Sequence, residues 1–87
     1  METTRAKTAQ HLLSALDAWI EGDRQNHSTI EPSHLDGYIA IATLARAHTD
    51  DPRDRAAIDS FVNRCRAFQM VGTVSMGIVG GVADWFP

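Results

Sequence analysis

The stretch SHLDGYIAIATLARAHTDDPRDRAAIDSFVNRCRAF, residues 33–68, decides the fold. Its first half predicts a helix from Ser33 to about His48, with Ser33 as cap and the acid Asp36 at the third helical position, where it can meet unpaired first-turn amides. Leu35, Tyr38, Ile39, Ile41, Ala42, Leu44 and Ala45 cover more than half of its circumference, so this helix is central and needs neighbours on two sides. Thr49, Asp50, Asp51 and Pro52 then break it. Proline is tolerated at the first helical position, Asp51 is a good cap, and Asp54 suits the positive end of a helix.

The second half predicts a helix over residues 52–68, with Ile58, Phe61, Val62, Cys65 and Phe68 on one stripe. Arg53, Arg55, Asp59, Asn63, Arg64 and Arg66 fall largely outside it. The four-residue pairs Asp51–Arg55 and Arg55–Asp59 add roughly 0.2–0.5 kcal/mol each. The short connection makes these two helices an antiparallel hairpin.

Upstream, residues 4–21 place Ala9, Leu12, Leu13, Leu16, Trp19 and Ile20 at three- and four-residue spacings, the mark of an amphipathic helix. Arg5, Lys7, Gln10, Ser14, Asp17 and Glu21 fall mostly on the other side, and Gly22 with Asp23 supplies a stop. Residues 23–32 carry Ile30 as their one large apolar side chain and read as a connecting loop.

Downstream the composition changes. No charge falls between Arg66 and Asp84, and the run holds Val71, Val74, Met76, Ile78, Val79 and Val82 among four glycines. So much apolar surface needs cover. As a helix, Val71, Val74, Ile78, Val82 and Trp85 form a seam with a Gly77/Gly81 notch. As a strand, Met70, Val74, Met76, Ile78, Val82 and Phe86 share a face, but the rest of the chain offers no second edge, so pairing would come from another molecule. As a lipid span, residues 68–86 nearly cross a hydrocarbon core of about 30 Å, diluted by glycine, Thr73 and Ser75.

With 87 residues and one cysteine, the chain holds a single small core without an internal disulfide. The reading is an all-α fold: a small three-helix bundle over residues 1–69, and an apolar glycine-rich segment over residues 70–87 that adds a fourth helix or hairpin. A net charge of -3 argues against nucleic acid as a partner, and the lack of a thiol pair or cationic leader points to the cytoplasm.

Chemistry is sparse. Cys65 between Arg64 and Arg66 could be an activated thiol, but it shares the apolar stripe and reads as a small buried hydrophobe. His27, Glu31 and His34 offer two imidazoles and a carboxylate to zinc at a spacing that matches no strong signature. No glycine run has the lysine of a phosphate cradle, so neither a cofactor nor a metal is expected. Arg53, Arg55, Arg64 and Arg66 are interleaved with Asp50, Asp51, Asp54 and Asp59, which makes a solvated helix face rather than a phosphate-binding one.

The function expected is therefore non-enzymatic: binding another protein or a second copy, as an assembly subunit, an inhibitor or a viral accessory protein would. Val74, Met76, Ile78, Val82, Trp85 and Phe86 are the contact candidates. A small membrane-inserted protein and a cysteine-dependent enzyme are the alternatives.

Overall fold

The computed structural model describes the backbone of residues 2–85 and the side chains of residues 7–84. Three helices, α1 (Glu2–Asn26), α2 (Pro32–Ala47) and α3 (Pro52–Val71), form an all-α bundle in which α2 packs on both α1 and α3. Leu16, Ile20, Leu35, Tyr38, Ile58 and Phe61 are fully buried at its centre, each worth about 1.5–3 kcal/mol of transfer free energy when aliphatic or phenyl.

The break before α3 forms as its residues dictate. The Asp51 carboxylate accepts from the Arg53 amide at 2.8 Å, with Pro52 in the first turn. Thr49 is buried, and its hydroxyl donates to Asp54 and accepts from the Asp51 amide. Arg55 pairs differently from the sequence expectation: it donates to the Thr49 carbonyl at 2.8 Å and lies 3.5 Å from Asp50, while Asp59 is held by Arg46 from α2. Arg55 thus finds its acceptors in the turn just before its own helix, and Asp59 finds a tertiary partner across the hairpin.

Three boundaries also move. The first helix does not stop at Gly22 but runs to Asn26, because its last turn is tied elsewhere: Asp23 accepts from the Tyr38 hydroxyl and Arg24 donates to the Val79 carbonyl at 2.6 Å. The second helix is not capped by Ser33. Glu31 is the cap residue, with no side-chain bond, and Pro32 opens the helix with its backbone angle preset. The third helix continues three residues past Phe68 and ends at Gly72, whose φ of 112° is in glycine's range.

The C-terminal segment closes the bundle, in short pieces rather than as a long helix. Val74–Ser75 (β2) pairs antiparallel with Thr29–Ile30 (β1), in the register Thr29 with Ser75 and Ile30 with Val74. The expectation that this chain lacks a second strand edge is thus corrected, since the supposed loop over residues 23–32 supplies one and Ser28 also accepts from the Met76 amide. Two 3₁₀ turns follow, Met76–Ile78 and Val82–Trp85. Val74, Met76, Val79 and Val82 join the core built by the three helices. Among the described residues, no helix is long and apolar enough to cross a membrane.

Candidate functional site

Of the six contact candidates, Val74, Met76 and Val82 are buried against the chain's own helices, and Ile78 is 49% exposed. The Trp85 side chain and Phe86 lie outside the described residues. The strap is held by polar ties as well. Asp17 on α1 accepts from the Val82 amide at 2.8 Å and the Ala83 amide at 3.3 Å, binding the turn where its first amides lack helical partners. Gly81 permits this approach, since a Cβ there would stand 2.6 Å from the Asp17 Oδ1. Arg24 and Arg64 reach the Val79 and Ile78 carbonyls, and the Arg64 guanidinium also lies 5.0 Å from the centre of the Phe68 ring.

With much of the segment inside, the largest side chains left on the helix surfaces gain weight. On α1, Leu12, Ala15 and Trp19 recur at three- and four-residue spacing along the flank beside α2. On α2, Ala40, Ile41 and Leu44 line the matching flank. Trp19 is 40% exposed and Leu44 47%. The Trp19 ring lies against Gly37, where a Cβ would come within 2.6 Å of Cη2, and meets Tyr38 edge-on with ring centres 4.9 Å apart.

This strip carries no charge. No charged residue occurs on α2 between Asp36 and Arg46, and none on α1 between Lys7 and Asp17, which turns away toward the strap. By spacing alone Leu44 belongs to the broad apolar band of α2, and Trp19 reads as a core or interface anchor. The available signal was that α2 is apolar over more surface than two neighbouring helices can cover.

One end of the strip meets a polar cluster. The Asp23 carboxylate accepts from the Tyr38 hydroxyl and lies 3.3 Å from the His34 Nε2. Burial, together with the hydrogen bond to Asp23 and its negative charge, pushes the Tyr38 hydroxyl well above its ordinary pKa. Asp23, His27, Glu31 and His34 line a cleft of about 310 Å³ with Thr29, Ile30 and Met76. The structure therefore brings the three zinc candidates to one cleft, yet no group of three such side chains among the described residues has the geometry to hold a metal ion.

Cys65 is buried between the helices, and burial pushes its thiol up to about 11, against a weaker opposing effect of Arg64. A thiol held protonated is a poor nucleophile at neutral pH. Compared with known proteins, the chain matches no family model, no curated protein and no solved structure.

Proposed function

We propose that this protein is a small helical protein-binding module that acts by docking rather than by turnover, with the outer α1–α2 strip as its main contact surface. The observation that carries the reading is the exposure of Trp19 (40%) and Leu44 (47%) within a strip free of charge. A solvated helix face normally carries charged side chains, and large exposed apolar side chains clustered on one patch mark interaction sites more than scattered ones do. Trp19 is pinned against Gly37 and Tyr38, so docking on it orders little that is not already ordered.

The C-terminal segment retains a share of this role through a second, smaller contact. Met70 is 90% exposed and Val71 77% at the end of α3, and Ile78 is half exposed on the strap. These three take over from the buried Val74, Met76 and Val82 as the residues of this segment open to a partner.

A photo-crosslinking amino acid placed at position 44 or 40 of the full chain tests the reading in cells, with exposed Asn63 on α3 as control. Protein adducts at positions 44 and 40 and not at 63 are expected. Absence of adducts at the strip, or equal yield at all three positions, contradicts it.

A further inference from the structure

We infer that the cleft where α1 ends and α2 begins holds an alkylammonium group, its charged head at the Asp23 and Glu31 carboxylates and its apolar stem on Ile30 and Met76. The site adjoins the Trp19 end of the α1–α2 strip and does not depend on docking there.

The lining supplies the first argument. At about 310 Å³, the cleft stands at the small end of protein ligand pockets, which run from about 300 to about 1,000 Å³. Ile30 and Met76 are buried and give it an apolar floor. Around them stand the Asp23 and Glu31 carboxylates, the His27 and His34 imidazoles and the Thr29 hydroxyl, with no lysine or arginine among the lining residues. Arg24 follows Asp23 in the chain, but its guanidinium turns to Glu21 and to the Val79 carbonyl. With the imidazoles neutral, the lining holds two negative charges over an apolar floor, which concentrates their field on the cleft. The helix ends that border it, the last turn of α1 and the first of α2, carry opposite partial charges and offset each other, so the side chains decide.

The walls are set in place before any ligand arrives. The Asp23 side chain is 16% exposed, and its Oδ2 accepts from the Tyr38 hydroxyl and lies 3.3 Å from the His34 Nε2. His34 in turn meets the Trp19 and Tyr38 rings. Glu31 makes no side-chain bond to the helix it caps. Binding therefore orders little that is not already ordered.

The spread of the donors chooses among cations. Among the described residues no group of three acidic, histidine or cysteine side chains can close on one metal ion, whereas an ammonium with three N–H donors and a carbon stem fills a wider space than a point charge does. With Oδ2 engaged by Tyr38 and His34, Asp23 offers Oδ1, which suits an ammonium better than a guanidinium that asks for both oxygens. The ammonium can come from a free amine or from a lysine side chain of another chain.

NMR titration of the full chain with n-butylammonium chloride at pH 8, against sodium chloride at equal ionic strength, tests the site. Saturable shifts at Thr29, Ile30, Glu31 and His34 are expected, with a dissociation constant in the millimolar range for so few ligand atoms. n-Butanol, the same stem without the charge, is expected to bind at least about fivefold more weakly. Glu31→Gln is expected to weaken n-butylammonium about threefold to fivefold. Asp59→Asn, an equal loss of charge on α3 beside Arg46 at the other end of α2, is expected to leave binding unchanged. Nα-acetyl-lysine N-methylamide separates the sources: binding as tight as that of n-butylammonium or tighter assigns the site to a lysine side chain, and weaker binding assigns it to a free amine. Shifts that do not saturate, shifts that n-butanol reproduces at equal concentration, or a Glu31→Gln chain that binds as the parent does overturn the inference.

Discussion

Replacing Asp17 isolates what holds the C-terminal strap. Its carboxylate receives the Val82 amide at 2.8 Å in a part-buried setting and the Ala83 amide at 3.3 Å in an exposed one. A hydrogen bond to a charged acceptor contributes about 1.5–3 kcal/mol, and the longer, wetter bond adds little, so Asp17→Ala should lose about 2 kcal/mol. Alanine returns roughly 0.6 kcal/mol of helix propensity inside α1. The net loss of about 1.4 kcal/mol corresponds to a melting temperature lower by about 6–11 °C in a domain of this size. Asp17→Asn keeps one neutral acceptor and should lose about 1 kcal/mol, or about 4–8 °C. Thermal melts followed by circular dichroism measure the first effect. Amide exchange at Val82 measures the local one, and a loss of about 2 kcal/mol there should speed it about 30-fold in the alanine variant. If both variants melt within about 1 °C of the parent and the Val82 amide exchanges at its parent rate, the strap is not held as described.

Other expectations are simpler to state. Gly37→Ala gains up to about 1 kcal/mol of helix propensity but forces the Trp19 ring away from a Cβ that would stand 2.6 Å from it; in a Trp85→Phe background, Trp19 emission should shift, and an unchanged spectrum would place the ring elsewhere. Ending the chain at Val71 removes four buried side chains, Val74, Met76, Val79 and Val82, together worth about 6–12 kcal/mol, as much as a typical domain's whole stability. That truncated chain should lose its cooperative melt, and a near-parent transition would show the segment to be dispensable. Cys65 titrates at about 11 in the fold, above its ordinary 9.0, so its contribution is complete below about pH 9 and is lost as the pH rises toward 11, on the order of 2–3 kcal/mol. Urea melts across that interval should show a smaller decline for Cys65→Ala than for the parent, and native labelling of the thiol at neutral pH should be slow.

The bundle was legible because its signals are local. Asp51 and Pro52 mark a helix start with their own chemistry, and Ile58, Phe61 and Cys65 mark a buried stripe by spacing alone. What escaped is what depends on distant residues. Asp17 looked like one more outward acid on α1, since nothing in its neighbourhood announces that Val82 and Ala83 will bring it their amides. Gly22 and Asp23 looked like a helix stop because Tyr38 and Val79, which tie down that last turn, lie 15 and 55 residues further on from Asp23 and Arg24. The apolar segment announced its need for cover but not its cover, because Thr29 and Ile30 are too short a strand to show any period of two. Spacing puts Leu44 on the apolar band of α2, and composition cannot say how many neighbours a central helix receives.

The central claim is that the C-terminal segment lies within this chain's own core and that the α1–α2 strip is open to a partner. Methyl NMR spectra of the full chain with a soluble paramagnetic probe test both halves at once. The account expects the probe to broaden the methyl signals of Ala40 and Leu44 strongly while those of Met76, Val79 and Val82 stay sharp. Strong broadening at Met76, Val79 and Val82, with Leu44 and Ala40 untouched, would contradict it.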